Sequence, residues 1–286
     1  MISAQSVTRT IGGFMLGPVS FDLEPGLVYA LIGPNGSGKT TLFRLLVGYL
    51  RPDSGEIMRF GAPLLVDDQD QTRRLAYVPE VLNGHDNWPV SQVIEIYRRS
   101  YPSFDTARLY DYLDGIDRQK RFNRLSKGQQ RRTMLALAMA AQTDVLLLDE
   151  PTDGIDPFAR KDMQQAIAEY MDIGDRMAFI ATHNLEDVRA LADVILVLEN
   201  GRQVGIWPKD DLTEGWQRLW LASAPPRALA GEVDRQTGAG IVVVTNDIAA
   251  TQIDLANFGI GVVQRQAVEM VDSLRILIDR QSDTVP

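Results

Sequence analysis

Cysteine is absent from this chain of 286 residues, and histidine occurs only twice. Without cysteine the protein has no disulfide, no thiolate metal site and no cysteine nucleophile. Acidic side chains outnumber basic ones by 38 to 29, which gives a formal net charge of -9. This balance argues against nucleic acid as the main partner, because such binding depends on lysine and arginine neutralising phosphates.

Long hydrophobic runs are also missing. The uninterrupted apolar stretch "MLALAMAA", residues 134–141, is far shorter than the roughly 18 residues that a membrane-spanning helix requires. The first residues, "MISAQSVTRTIGG", lack the charged start and the apolar centre of a secretory signal. We therefore expect any work at a membrane to depend on a separate anchoring partner.

Short apolar segments alternate with helical patterns along most of the chain. Such segments as "LVYALIG", "DVLLLDE" and "RMAFIATH" are typical of strands buried on both faces. Their alternation with helices predicts an α/β fold with a mostly parallel sheet. Residues 91–121 have a mainly helical pattern and interrupt this alternation. The alternation of strand and helix patterns changes near residue 206. The strand-like "GIVVVTND" and helix-like "IAATQIDLANFG" predict a small α+β appendage over 206–286.

A phosphate-binding loop is the clearest motif. "GPNGSGKT", residues 33–40, fits the pattern G-x-x-x-x-G-K-[ST] and stands between a predicted strand and a predicted helix. In this pattern backbone N–H groups wrap the phosphates, the lysine reaches the β and γ phosphates, and the hydroxyl residue binds Mg²⁺. The candidate nucleotide-binding residues are Gly33, Pro34, Asn35, Gly36, Ser37, Gly38, Lys39, Thr40 and Thr41.

Three further side chains follow buried strands and are expected at the same edge of the sheet. Asp149 is expected to hold Mg²⁺ together with Thr40, and Glu150 is expected to orient and deprotonate an attacking water. The alternative is a pair of acids that only begin a loop, with Glu150 as a solvated charge. His183, after "FIAT", is expected to donate a hydrogen bond to the γ-phosphate, although a lone histidine there is more often structural.

The order of "GPNGSGKTT", "YVPE", "LSKGQQRR", "DVLLLDEPTDGID" and "IATH" resembles that of the ATP-binding cassette (ABC) family over residues 1–205. The resemblance implies a P-loop NTPase core, an N-terminal antiparallel β subdomain and a helical signature subdomain at about 89–125. It also implies a head-to-tail dimer, either a homodimer or a heterodimer. Each ATP then lies between the phosphate loop of one chain and the signature motif of the other.

The resemblance also assigns residues outside the phosphate loop. Ser126, Gly128 and Gln129 of the signature would contact the partner's ATP, and Asp156 would lie in the loop that crosses the dimer interface. Ser126 can cap the helix that follows it, whose N-terminus suits a phosphate. Glu80 occupies the place of a glutamine that links Mg²⁺ and the attacking water to the transporter, and its carboxylate can still bind Mg²⁺.

Two positions leave alternatives open. Lys127 stands where many relatives have glycine, and it is either a tolerated surface lysine or a cation added near the partner's ATP. The aromatic residue that stacks on adenine in the family falls by register on Ile11, and Phe14 is a nearby substitute. The sequence does not decide between these two residues.

The expected function is that of an ATPase subunit at the cytoplasmic face of a membrane, held there by a separately encoded permease and using ATP and Mg²⁺. The resemblance to exporter ATPases implies export of a small amphipathic compound, antibiotic or peptide. The loop from Glu80 to about Ser91, with Trp88, would transmit motion to the permease. One alternative is a soluble ABC ATPase that remodels a macromolecular complex. Another, a non-hydrolysing regulatory cassette, is disfavoured because Lys39 and Glu150 are present.

Overall fold

The computed structural model describes residues 1–65, 68–81, 87–238 and 240–282. It divides into two units, Met1–Ile206 and Trp207–Pro286, each with its own buried apolar side chains. The division lies one residue beyond residue 205, where the sequence pattern places the end of the first domain. In the described part of the chain, no helix combines the length and the apolar character needed to cross a membrane.

A six-stranded sheet forms the centre of the first unit. Its strands are, in spatial order, β10 (Arg202–Pro208), β9 (Val194–Glu199), β3 (Val28–Ile32), β8 (Met177–Thr182), β7 (Val145–Asp149) and β6 (Leu75–Val78). The pairings from β9 through β3, β8 and β7 to β6 are all parallel. Every residue of β3, β7 and β8 is buried, which explains their continuous apolar sequences. The prediction of a mostly parallel sheet is confirmed.

A second sheet is antiparallel, and its strands come from the segments before β3 and after α1 (Lys39–Leu46). It consists of β2 (Phe14–Leu23), β1 (Ile2–Ile11), β4 (Ser54–Arg59) and β5 (Ala62–Pro63) in spatial order. Its apolar residues share one core with the central sheet and with α1. At the turn between the first two strands, Ile11 and Phe14 are directly paired. The turn therefore brings both candidate adenine contacts to one place.

Helices cover the central sheet and form the predicted insertion. The remaining helical elements of the first unit are α2 (Gln69–Arg73), α3 (Val90–Ser100), α4 (Thr106–Tyr112), the 3₁₀ turn Phe122–Arg124, α5 (Lys127–Ala140), α6 (Pro157–Met171) and α7 (Leu185–Leu191). Buried side chains of α3, α4 and α5 form one cluster with those of β6, β7 and β8. The helical insertion is thus anchored to the strands that end at the candidate site.

The second unit is a small α+β fold. Its antiparallel sheet has the order β12 (Glu232–Thr237), β13 (Ile241–Thr245), β11 (Gln217–Leu221) and β14 (Val262–Ala267), and its helices are α8 (Lys209–Thr213), α9 (Ile248–Asn257) and α10 (Met270–Ser282). Two clusters of buried apolar side chains stabilise it. The strand and helix predicted from "GIVVVTND" and "IAATQIDLANFG" are present as β13 and α9.

Candidate nucleotide site

The loop between β3 and α1 depends on two glycines. A Cβ on Gly33 would lie 2.1 Å from the carbonyl oxygen of Leu198, so no larger residue fits beside β9. Gly38, which precedes α1, has a φ of +106°, a conformation that side chains strongly disfavour. The Nζ of Lys39 donates to the carbonyl oxygen of Gly33 at 2.8 Å and thus lies back across the loop. The two glycines therefore fix the course of the loop that leads from β3 into α1.

The beginning of α1 presents unused hydrogen-bonding groups. No described side chain caps this helix, so its first backbone N–H groups remain available to an anion. Among the described residues, the Oγ of Ser37 and the Oδ1 of Asp149 are buried without a hydrogen-bond partner. Buried polar atoms usually have partners, and these two lie within the loop and at the end of β7. This arrangement fits a hydroxyl that meets phosphate and a carboxylate that meets Mg²⁺.

The electrostatics of Asp149 also favour a cation. Burial raises the pKa of the Asp149 carboxyl, and the nearby charges of Glu80 and Glu150 raise it further, whereas a hydrogen bond from Thr40 lowers it. A divalent cation would stabilise the ionised carboxylate against these effects. Mg²⁺ needs only one or two carboxylates when substrate phosphates supply other ligands. The described residues contain no cluster of three histidine, cysteine or acidic side chains that would form an all-protein metal site.

Glu150 is held between a lysine and a histidine. Its Oε1 lies 3.5 Å from the Nζ of Lys39, and its Oε2 lies 2.9 Å from the Nδ1 of His183. The backbone N–H of His183 also donates to Oε2, at 3.3 Å. Glu150 is buried and has a φ of +49°, a conformation that costs a non-glycine residue on the order of 1–3 kcal/mol. Such strain is typical of functional sites and directs this carboxylate to the end of the sheet.

Most of these groups line a cavity of about 800 Å³, although Asp149 and Ser37 are not among its lining residues. The cavity brings together both adenine candidates, most of the phosphate loop, Glu80, the candidate base and the histidine, and it also contains Asp153. Its lining is Ile11, Phe14, Asn35, Gly36, Gly38, Lys39, Thr40, Thr41, Glu80, Glu150, Asp153 and His183. Gly33, Pro34 and Ser37 complete the loop. The volume of this cavity, the charged side chains in its lining and its hydrogen-bond donors together suit a nucleoside triphosphate.

The signature residues lie in a different place. Ser126, Gly128, Gln129 and Asp156 line a separate cavity of about 420 Å³ between helices. Ser126 caps α5 as expected: its Oγ accepts from the N–H of Gln129 at 3.2 Å, and its own N–H donates to the Gln129 side chain. Asp156 caps α6 by accepting from the N–H groups of Phe158 and Ala159. A single chain therefore does not bring its signature to the cavity that contains its phosphate loop.

One buried acid near the site has no recognisable motif in the sequence. Asp187, on α7, accepts hydrogen bonds from the hydroxyls of Thr152 and Thr182 and, at 2.7 Å, from the side chain of Gln164. Thr152 lies two residues after Glu150, and Thr182 immediately precedes His183. Asp187 therefore ties together the two segments that carry these side chains. Its only sequence signal was an acid in the first turn of a helix, which is usually a solvated residue.

The loop that was expected to contact a membrane partner is described only in part. Glu80 and Val81 are exposed, and Trp88 retains 38% of its accessible surface. Residues 82–86 lie outside the described residues. The role of this loop as the transmitting segment remains a prediction.

Comparisons with known proteins agree on one family. A family model described as ABC transporter matches residues 16–153. The chain is 32% identical over 225 residues to the ABC transporter ATP-binding protein YtrB of Bacillus subtilis, covering 78% of this chain and 77% of that protein. It is 32% identical to the Nod factor export ATP-binding protein I of Burkholderia orbicola, covering 81% and 80%.

A third relative belongs to a transport system for a metal ion. The manganese transport system ATP-binding protein MntA of a Synechocystis species is 34% identical, covering 82% of this chain and 95% of its own length. Among solved structures, a dimeric bacterial ABC transporter cassette matches with a TM-score of 0.65 at 22% identity, covering 73% of this chain and 98% of that one. At this identity the likeness shows the fold alone.

Proposed function

The chain belongs to the ABC transporter family of ATP-binding proteins, and we propose that it drives the export of a small amphipathic compound through a separate membrane protein. It is an ATPase that uses ATP and Mg²⁺. Glu150 carries the hydrolytic part of this proposal, because a buried carboxylate between Lys39 and His183 at the edge of a phosphate cavity is placed to activate water.

Binding of ATP would rearrange the partners of Glu150. Lys39 now lies near both the loop carbonyls and the Glu150 carboxylate. The phosphates of ATP are a stronger attraction for the ammonium group, since they carry more negative charge. Glu150 would then retain His183 as its partner and accept the proton of an attacking water. His183 would orient the carboxylate and, through its remaining nitrogen, the γ-phosphate.

The metal ion fits beside the same phosphates. Thr40 and Asp149, with Glu80 at the rim, would hold Mg²⁺, which neutralises the charge that develops on the transferred phosphoryl group. The orphaned Oδ1 of Asp149 is the observation that favours this ligand set. Glu80 provides an oxygen ligand of the same reach as the glutamine of many relatives.

A second chain would complete the site. The signature residues Ser126, Gly128 and Gln129 lie outside the phosphate cavity of their own chain and at the start of a capped helix. Such a helix start suits the γ-phosphate held by a partner. We therefore propose a head-to-tail dimer, which brings Asp156 of each chain to the interface. The dimer would be peripheral to the membrane and held at its cytoplasmic face by the permease.

Export is supported by two observations. Glu80 replaces the usual glutamine, as in a branch of exporter ATPases, and several similar relatives are named as Nod factor export proteins. Similarity to a manganese transport protein extends over almost all of that relative, so similarity alone does not fix the cargo. Experiments with the membrane partner present are needed to test three parts of the proposal: the pairing with a permease, the direction of transport and the amphipathic cargo.

Reconstitution tests this proposal. The chain should be purified with a membrane protein encoded beside it and placed in vesicles, and ATP hydrolysis should be measured with amphipathic compounds, peptides and Mn²⁺. We expect an amphipathic compound to stimulate hydrolysis and to be moved across the vesicle membrane only with ATP. The Glu150→Gln variant is the control and should do neither. Stimulation by Mn²⁺ alone, with no response to amphipathic compounds, would contradict the export assignment.

A further inference from the structure

Lys127 makes a contact within its own chain that neither interpretation from the sequence included. It is the first residue of α5, and its Nζ donates to the Oδ2 of Asp153 at 3.0 Å. Asp153 lies three residues after Glu150, in the loop that leads to α6. The ion pair therefore joins the start of the signature helix to the loop that carries the candidate base.

The backbone of this loop accommodates the lysine. Gly154 has a φ of +68°, and a Cβ at that position would lie 2.5 Å from the Nζ and 3.2 Å from the Cε of Lys127. The aliphatic part of Lys127 thus lies across a glycine that leaves space for it. A hydrogen bond from Lys127 is the main cause that lowers the pKa of the Asp153 carboxyl, and the charges of His183 and Arg131 lower it further.

A second cation lies one turn along the same helix. Arg131 is buried and donates from Nη1 to the carbonyl oxygen of Pro79 at 3.2 Å, at the end of the segment that leads to Glu80. Lys127 and Arg131 are four residues apart and so share one face of α5. Through these two contacts the face reaches the loop after β6, which contains Glu80, and the loop after β7, which contains Asp153.

Asp153 also borders the nucleotide cavity. It lines that cavity together with Glu150 and His183, and it lines a smaller cavity of about 340 Å³ together with Lys127 and Arg131. The Asp153 carboxylate therefore borders both the hydrolytic site and the start of the signature helix. A shift of α5 relative to this loop would move Asp153 and so alter the lining of the hydrolytic site.

We infer that Lys127 is a positioning residue that acts through Asp153, holding the loop of Glu150 in a fixed relation to the signature helix of the same chain. The inference rests on the proposed dimer, in which the signature of one chain meets the ATP held by the other. In that dimer, the ion pair between Lys127 and Asp153 connects two parts of one chain. One is the signature, which contacts the ATP bound to the partner, and the other is the loop of Glu150, which acts on the ATP bound to its own chain. Loss of the ion pair lowers turnover and the cooperativity between the two sites, and it leaves ATP binding by the phosphate loop intact.

The test uses the full chain and measures ATP hydrolysis against ATP concentration. The variants are Lys127→Met, Asp153→Asn, Lys127→Arg and the charge swap Lys127→Asp with Asp153→Lys. Exposed ion pairs contribute little, so each single removal should lower kcat by only about two- to fivefold. The Hill coefficient should fall towards one while KM for ATP stays near the parent value. Lys127→Arg and the charge swap should restore most of both losses.

A matched control separates this effect from the general loss of a surface ion pair. Arg74 and Asp144 form a pair of similar exposure at 2.5 Å, away from the cavity lining. Asp144→Asn should leave kcat and the Hill coefficient unchanged. Thermal unfolding of all variants checks that each one is folded.

Each outcome decides the inference. If Lys127→Met and Asp153→Asn keep the parent's kcat and Hill coefficient, the inference is overturned and the proposed function stands. If the single variants are slow and the charge swap is no faster, the two residues act separately and the inference is also overturned. If the parent chain itself hydrolyses no ATP, the proposed function fails, and the inference fails with it.

Discussion

At the scale of single residues, the contacts of Glu150 distinguish a base from an ordinary loop acid. Its carboxylate is buried, and both oxygens have cationic or polar neighbours within 3.5 Å. The loop-acid alternative would leave this side chain in solvent. Lys39 and His183 come from segments far apart in sequence, so their approach is a product of the fold and supports the proposed role of the base.

His183 allows a direct test of that arrangement. His183→Ala removes a hydrogen-bond donor near the reacting phosphate and frees the Glu150 carboxylate to turn. Loss of one such donor typically lowers kcat by about 10²–10³-fold. We expect a fall of this size in steady-state hydrolysis, with KM for ATP little changed. A variant with parent kcat and a raised KM would show that His183 serves binding alone.

Asp187 is expected to act by holding two segments together. Asp187→Ala leaves the buried hydroxyls of Thr152 and Thr182 without their acceptor, and each such loss costs about 1–3 kcal/mol. We expect a lower free energy of unfolding by chemical denaturation, together with a lower kcat.

The conservative change Asp187→Asn keeps one carbonyl acceptor and serves as the matched control. It should retain more stability and more activity than Asp187→Ala. Equal stability of Asp187→Ala and the parent would contradict the role of this residue as a link.

The residues of the phosphate loop and the acids at the end of β7 could be predicted because short motifs indicate them. Asp187, Asp153 and Arg131 could not, since each acts through a partner on a different segment. Lys127 stands where many relatives have glycine, but its partner lies 26 residues away, and no local pattern indicates such a pair.

At the scale of elements, the start of α1 is sensitive to a single added carbon atom. Gly38 combines a φ of +106° with a neighbour, the Cδ1 of Leu16, at 2.8 Å from a Cβ placed there. Gly38→Ala therefore strains the backbone and displaces the N–H groups that face the phosphates. We expect a weaker affinity for ATP by titration and a lower melting temperature.

Gly174→Ala is the matched control for this change. Gly174 has a similar left-handed φ of +73°, but nothing lies within 4 Å of its Cβ position. This variant should lose only about 1 kcal/mol of stability, from backbone strain, and keep its affinity for ATP. Equal affinities for ATP in both variants would contradict the role of Gly38 in shaping the loop.

Strands with continuous apolar sequence were predictable, and a mostly exposed edge strand was not. The strands β3, β7 and β8 are wholly buried, so composition alone marked them. In contrast, β14 is mostly exposed, and its sequence "VVQRQA" resembles a loop as much as an edge strand. The pairing of β14 with β11 makes it a strand, and pairing between distant segments is not visible in local sequence.

At the scale of the whole molecule, the chain divides into a larger unit and a smaller one, each with its own buried apolar clusters. The first unit contains the phosphate loop, the candidate base and the signature, whereas the second contains none of these motifs. In the sequence, the alternation of strand and helix patterns changes near residue 206, which predicts such a division. The sequence could not indicate that three further strands join β13 in one antiparallel sheet, because their order depends on long-range pairing.

The proposed active unit is larger than one chain, since the signature residues and the phosphate loop of a single chain line different cavities. Activity therefore depends on dimerisation in the presence of ATP. Glu150→Gln should bind ATP and stop before hydrolysis, because the amide cannot take the proton of the attacking water. The closed dimer should then accumulate.

The most direct measurement is the mass of the Glu150→Gln chain in solution by light scattering, with and without ATP and Mg²⁺. We predict a 31.8 kDa monomer without nucleotide and a species of twice that mass at saturating ATP. Adding Lys39→Ala to this variant should abolish the larger species, because the phosphates lose their lysine. A Glu150→Gln chain that binds ATP and remains a monomer, or that hydrolyses ATP at the parent rate, would contradict the account.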